Sequence, residues 1–250
     1  MHAHNTGCAA QFMTTGPHVP CTVVSAQSEG MLLQDNEQVV ELDVSDNSLH
    51  DTSGAALARL LQSNTQLTSL DLAENTIAGK ACPAFSTLLS SSGCNLCKLS
   101  LRHCGLGDKD ALALSPGLSS NKSLTLLDLQ HNSIGECGAV ALGNALGENR
   151  GLVELNLSWN PLRPKGGAAV AKGASAHSHL QVLDVARCGL QDAGVAAFGP
   201  FCQASQVPPK LSTALSVTAG GQNWATTACL HPASCSDCNH HAIAFLPGSA

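Results

Sequence analysis

Side chains able to bind metal or move protons gather in two parts of this 250-residue sequence. Near its C-terminus, Cys229, His231, Cys235, Cys238, His240 and His241 fall within thirteen residues, and thiolates and imidazoles are the donors that hold zinc. Their spacing fits no standard finger, and a structural zinc site ordinarily brings strands or a helix to fix its ligands. The reading is therefore no metal, with Cys229, Cys235, Cys238 and His240 in a zinc-binding tail as the alternative. Cys94 and Cys97 form a Cys-x-x-Cys pair, but no second pair completes four ligands, so they read as loop thiols. His103 and His131 suit general acid–base work by type, yet no carboxylate or nucleophile is assigned to them. The sequence contains no Gly-x-Ser-x-Gly elbow, no His-Glu-x-x-His helix and no phosphate-binding glycine loop. No catalytic residue and no cofactor are assigned, and the chain reads as a non-enzyme. Trp159 and Arg187 offer different chemistry: an exposed Trp beside Arg is the composition enriched at protein-binding hot spots.

His103, His131, Trp159 and Arg187 are each 28 residues apart, and that interval belongs to the whole chain. The segments VVELDVSDN (39–47), LTSLDLAEN (67–75), LCKLSLRHC (96–104), LTLLDLQHN (124–132), LVELNLSWN (152–160) and LQVLDVARC (180–188) follow one template. Positions one, four and six are apolar, position nine is Asn or Cys, and position nine recurs at intervals of 28, 29, 28, 28 and 28. Alternation at positions four and six predicts a short strand with one buried face. Two residues past position nine comes another apolar residue in every copy: Leu49, Ile77, Leu106, Ile134, Leu162 and Leu190. The second half of each copy then changes to helical spacing, as in Leu57/Leu60/Leu61, Phe85/Leu88/Leu89 and Leu142/Ala145/Leu146. Small residues near the helix starts, Gly54, Ala81, Gly138, Gly166 and Gly194, let helix and strand approach closely.

A strand–turn–helix unit of this size cannot bury its own apolar face, whereas stacked copies share a continuous core. The predicted fold is a right-handed α/β solenoid of about six repeats over residues 39–202, with a parallel concave sheet and convex helices. Asn47, Asn75, Cys104, Asn132, Asn160 and Cys188 then form a structural ladder, their buried amides and thiols bonding loop backbone of adjacent turns.

These repeats resemble the ribonuclease-inhibitor type of leucine-rich repeat in their length, their full helix and the Asn/Cys choice at position nine. LNLSWNPLRPKGGAAVAKG (155–173) looks most like stand-alone intracellular leucine-rich-repeat proteins and the repeat regions of NACHT-type receptors. The resemblance covers about residues 39–202 and implies a horseshoe that works by binding another protein. The NACHT nucleotide-binding module is missing, so that ATPase function does not carry over. By family analogy a regulator of enzymes, such as a GTPase activator using Arg102 or Arg187, is the alternative function.

Composition narrows the partner. Aromatic residues make up 3% of the chain with no Tyr, the formal charge is −6, and the twelve Lys and Arg are scattered. That composition lacks both the stacking platforms and the basic footprint of nucleic-acid binders. No apolar run reaches the length of a membrane span, and the start MHAHNTGCAAQFMTTGPHVP has no basic stretch followed by an apolar one. A cytoplasmic or nuclear protein with mostly reduced cysteines is expected, binding neither nucleic acid nor membrane.

Outward strand positions form columns on the concave surface. The fifth, Asp43, Asp71, Ser100, Asp128, Asn156 and Asp184, reads either as an acidic stripe for a basic partner or as short polar filler bonding locally. The eighth, Asp46, Glu74, His103, His131, Trp159 and Arg187, varies as a recognition surface should. One repeat separates neighbours by roughly 5 Å, which sets Trp159 between His131 and Arg187, beside Arg102, Gln130 and Ser158. The candidate binding residues are therefore Asp46, Glu74, Arg102, His103, Gln130, His131, Trp159 and Arg187.

The ends are irregular. Residues 1–38 lack periodicity and read as a poorly ordered segment, with Met31 to Val40 as part of a degraded first repeat. Residues 203–250 read as an irregular, disordered tail, because Pro208 and Pro209 stand where a seventh strand should begin and Gly199-Pro200 interrupts the sixth helix. Uncapped ends of this kind invite self-association. Ser115-Pro116-Gly117 predicts a kinked or shortened third helix.

Overall fold

The computed structural model describes residues 39–204 and three short strands beyond them, 210–212, 215–217 and 224–226. The expectations for residues 1–38 and for Cys229, Cys235, Cys238 and His240 fall outside the described residues.

Six three-residue strands pair in parallel in chain order: β1 (Glu41–Asp43), β2 (Ser69–Asp71), β3 (Lys98–Ser100), β4 (Leu126–Asp128), β5 (Glu154–Asn156) and β6 (Val182–Asp184). The register repeats without slip, with Leu42, Leu70, Leu99, Leu127, Leu155 and Leu183 aligned across the sheet. Between and after them run α1 (Asp51–Leu60), α2 (Ala81–Ser90), α3 (Asp108–Ser120), α4 (Glu136–Glu148), α5 (Arg163–Ala176) and α6 (Gln191–Ala196). The result is the α/β solenoid, sheet on the concave side and helices on the convex side. Template positions one, four and six, with the apolar residue two past position nine, join the inner helix faces in one cluster running from Leu42 to Leu211. Each buried Leu contributes about 1.5–3 kcal/mol, and it does so only when the neighbouring repeat covers it. Among the described residues no helix is long and apolar enough to cross a membrane.

Three details depart from the sequence expectation. Helix α3 is not shortened: it runs thirteen residues with Pro116 inside it. Proline removes one N–H at that point, and the residue four before it, Leu112, stands on the open face, 62% exposed. The next amide, of Gly117, donates across the repeat boundary to the Ser86 hydroxyl at 2.9 Å. A Cβ on Gly117 would lie 2.4 Å from the Ser86 carbonyl oxygen, so the bond exists because α2 and α3 touch backbone to backbone. The sixth helix does stop early, at Ala196, but a further helix α7 (Gly199–Ala204) begins three residues later with Pro200 in its first turn, where a missing N–H costs little. Beyond it, repeat geometry continues where the sequence was read as irregular. Strand β7 (Lys210–Ser212) joins the sheet in parallel beside β6, pairing Leu211 with Leu183 and burying it. Both prolines precede its three paired residues, and Leu211 stands 28 after Leu183. Strands β8 (Leu215–Val217) and β9 (Trp224–Thr226) form a separate antiparallel pair.

Two hydrogen-bond ladders hold the turns. The first is the position-nine column. Asn132 accepts from the backbone N–H groups of Cys104 and Leu106, both at 3.0 Å, and its amide donates to the carbonyls of Leu101, Leu129 and Gln130. Asn75 repeats the pattern toward Asn47, Leu49, Val44, Leu72 and Ala73. Asn160 bonds Ile134, Leu129, Leu157 and Ser158. Asn47, in the first repeat, donates to its own Ser45 carbonyl. Cysteine supplies the donor half alone: Cys104 Sγ lies 3.2 Å from the Leu72 carbonyl and Cys188 Sγ 3.1 Å from that of Leu157. Burial pushes both thiols up to about 12, which keeps them protonated and donating. Two of the six ladder positions thus run on one proton each.

The second ladder, at the opposite end of the strands, was not read from the sequence. Three residues before position one, Asn64, Asn121, Asn149 and His177 are buried. Each accepts the amides that begin the next strand, as Asn149 does from Gly151 and Leu152, and Asn149 also donates to the carbonyls of Leu118 and Asn121. His177 replaces the carboxamide with an imidazole: Nδ1 accepts from His179 and Leu180, which leaves Nε2–H to donate to Asn149 Oδ1 at 3.2 Å. Burial, with Arg150 and His179 nearby, lowers its pKa to about 4.

Replacing Asn132 with Ala leaves two buried amides and three carbonyls without their side-chain partner, and is expected to cost about 3 kcal/mol in urea unfolding. Cys188→Ala removes a single weak donor and should cost about 1 kcal/mol. A comparable loss in both would mean that the amide ladder is not what holds the loops. Because the folded pKa of His177 lies below the ordinary 6.5, the unfolded chain takes up a proton that the folded one refuses. Its stabilising effect is complete above the ordinary value and is lost as pH falls from there toward 4, by about 2–3 kcal/mol. His177→Asn should flatten thermal stability across that acid window; an unchanged slope would remove His177 as its cause.

Candidate functional site

The position-eight residues share a conformation that spacing alone does not reveal. Asp46, Glu74, His103, His131, Trp159 and Arg187 all have positive φ, between 53° and 60°. Left-handed backbone costs a non-glycine residue about 1–2 kcal/mol, and a bulky residue there is unusual. Two neighbours impose it. In the first five repeats the N–H of the position-eight residue donates to the position-seven carbonyl of the next repeat, as Trp159 does to Ala186 and His131 to Ser158, both at 2.9 Å. At the same time the position-nine side chain folds back on the carbonyls of positions six and seven. The chain turns sharply at position eight and throws that side chain to the rim of the concave face.

The side chains thrown outward form a continuous row. Glu74 accepts from Arg102 at 3.0 Å and contacts His103 Nδ1. The His103 hydrogen bond, with help from Arg102, holds the Glu74 carboxyl below its ordinary range against the opposing effect of desolvation. His103 and His131 are tilted neighbours with ring centroids 5.7 Å apart. His131 stacks on Trp159 at 4.9 Å, the planes 12° apart. Arg187 covers the other side of the indole, its guanidinium carbon 5.0 Å from the ring centroid. Trp159 nevertheless remains 46% exposed. Six of the eight candidate residues therefore meet in one row. Gln130 lies beside it and accepts from the Asn156 side chain at 3.3 Å, while Asp46 extends the column at the first repeat, exposed on the same kind of turn.

The acidic column behaves as locally bonded polar residues. Asp43, Asp71, Asp128, Asn156 and Asp184 each accept the backbone N–H two residues ahead through Oδ1. These are turns closed by a side chain, and they lead the strand into position eight. Burial pushes the Asp128 carboxyl above its ordinary value. Cys94 is buried, and Cys97 Sγ lies 3.4 Å from the Asn95 carbonyl in the lead-in to β3. Among the described residues no three His, Cys, Asp or Glu are placed to hold a metal ion.

The leucine-rich-repeat profile matches six successive stretches, 36–58, 63–86, 94–115, 120–143, 148–171 and 176–199. This chain belongs to the leucine-rich-repeat family. Among solved structures it is similar to leiomodin-1 actin-binding site 2, at 16% identity over 72% of this chain and 91% of that one, with a TM-score of 0.45. It is also similar to the Caenorhabditis elegans tropomodulin C-terminal domain, at 10% identity over 72% and 93%, with a TM-score of 0.47. No curated protein sequence matches it. The six profile matches coincide with the six copies of the template, and each spans one strand and at least part of the helix after it.

Trp159→Asn should leave the unfolding free energy within about 1 kcal/mol of the parent, since Asn tolerates left-handed backbone while the stacking on His131 and Arg187 is lost. A larger drop in chemical unfolding would make the indole a structural residue of the loop.

Proposed function

We propose that this leucine-rich-repeat protein is an interaction scaffold that binds a partner protein along the position-eight rim and the strand face next to it. The supporting observation is Trp159: a bulky residue held in left-handed backbone, stacked between two repeat neighbours, and still half-exposed. Its loop is closed by backbone and Asn160 bonds, so the indole is not needed to fold that turn. An exposed aromatic fixed in one orientation has little rotamer freedom left to lose on binding, which favours affinity. Glu74, Arg102, His103, His131 and Arg187 extend the surface, with Asp46 and Gln130 at its margins. The acidic net charge argues against nucleic acid as the partner. Buried thiols kept protonated, Cys104 and Cys188, suit a cytoplasmic or nuclear setting. The Glu74–His103 pair of the row lies open on the surface, with no nucleophile in the row beside it, so adaptor rather than enzyme is the reading the row supports.

The test is affinity capture from cell extract with quantitative mass spectrometry, using the parent chain, Trp159→Asn, Arg187→Met and the convex control Lys172→Ala. A partner held by parent and control should fall at least tenfold, about 1.4 kcal/mol, with either rim variant. Undiminished capture by both rim variants would move the binding surface elsewhere.

A further inference from the structure

The partner's chemistry follows from which parts of the row are already occupied. Repeat five lies between repeats four and six in the sheet, so His131 and Arg187 approach Trp159 from opposite sides. Both faces of the indole are thereby covered, by a stacked imidazole at 4.9 Å and a guanidinium at 5.0 Å. An incoming aromatic ring or ammonium group needs a free π-face, and none remains. What Trp159 presents is its edge, where the ring quadrupole is positive and which carries the indole N–H donor.

The groups beside that edge are donors as well. Arg187 is exposed, and among the described residues no carboxylate lies within ion-pair distance of it. Its guanidinium carbon lies 5.0 Å over the ring, and the N–H donors of a planar guanidinium lie around its edge in a fork that matches a carboxylate. Arg102, the other cation of the row, is committed to Glu74, as is His103 Nδ1. The unneutralised positive charge of the row is therefore concentrated at its Trp159–Arg187 end.

Resting on the binding reading above, we propose that the His131–Trp159–Arg187 edge recognises a single carboxylate side chain of a partner segment, forked by Arg187 and held by the Trp159 N–H. Bidentate Arg–carboxylate pairs are among the stronger hydrogen-bonded contacts. The isolation of the carboxylate is part of the proposal. Asp128 and Asp184 line the neighbouring column, each with only Oδ1 engaged by backbone, and they repel a partner acidic throughout. The fitting segment carries one Glu or Asp among neutral residues.

The experiment uses the full chain, fluorescently labelled, on an array of short end-blocked peptides with neutral flanks and a central Glu, Gln, Lys or phosphoserine, plus an all-Glu series. Single-Glu peptides should be retained about tenfold better than their Gln counterparts and better than the all-Glu series. Arg187→Met should abolish the Glu-over-Gln selection, and Trp159→Phe, which keeps a ring but loses the N–H, should weaken it several-fold. Both variants are checked for an unchanged melting temperature. Equal retention of Glu and Gln, preference for Lys, or no retention at all overturns the carboxylate assignment, as does stronger retention of phosphoserine, which would make this a phosphate receptor. If selection fails while extract capture still depends on Trp159, the rim remains the binding surface and only its partner chemistry is wrong. Peptide binding indifferent to Trp159→Asn would remove the rim itself.

Discussion

A buried carboxamide that must satisfy five backbone groups at once is the interaction on which this solenoid depends. Asn132 takes two amides from the loop before it and gives to three carbonyls, one of them in the preceding repeat. To reach its own carbonyls at positions six and seven it must fold back, and the residue between must then turn left-handed. One requirement therefore fixes three things together: the end of the strand, the sharp exit of the chain, and the outward throw of the position-eight side chain. Unmade buried bonds of this kind cost about 1–3 kcal/mol each, enough to hold even Trp159 in a backbone region it disfavours. The carboxamide is a two-sided fastener, whereas Cys104 and Cys188 fasten one side through a single proton. The joins made by cysteine are the weaker ones.

The opposite end of the strands is closed by similar chemistry. Asn149 links the carbonyls of Leu118 and Asn121 to the amides of Gly151 and Leu152, and His177 repeats half of that role in neutral form. Helix starts follow the same cross-repeat logic. Asp108, at the start of α3, accepts from the Gly135 and Gly138 amides that open α4, and Asp110 accepts from Gly79 in the repeat before. At these helix starts one repeat leans on its neighbour, which makes stability in part a property of adjacent pairs. Interior units are doubly secured in this scheme, and terminal ones are not.

The repeat, the strand positions and the apolar core were legible in the sequence because period two, period 3.6 and period 28 leave direct marks on residue type. Position nine was legible for the same reason. The second ladder was as regular but is broken where the second repeat carries 29 residues and ends with Gly93 in place of Asn, which hides the column Asn64, Asn121, Asn149, His177 in the sequence. Pro116 misled because its cost depends on what the freed backbone meets, and Ser86, 30 residues away in sequence, supplies that. Leu211 marked β7, but the two prolines before it outweighed the 28-residue interval. At the rim, the composition of the row was visible and its geometry was not. Nothing in the letters His, Trp and Arg states the sign of φ, and that sign converts a column of unlike residues into a stack.

The rim is separated from the fold by the way its own backbone is held. At position eight the N–H donates to the next repeat regardless of the side chain, so Asp46, Glu74, His103, His131 and Trp159 make the same bond. Whatever residue stands there is displayed in a fixed direction at a spacing set by the sheet. Energy for the turn comes from positions seven and nine, which leaves the position-eight side chain free of that task. In the last two repeats this separation is used to the full, because Trp159 is held by Asn160 and by the Ala186 carbonyl while His131 and Arg187 cover its two faces. A side chain fixed in this way is already ordered before any partner arrives. In the binding proposed at its edge little further rotamer entropy is lost, and more of the contact energy remains as affinity.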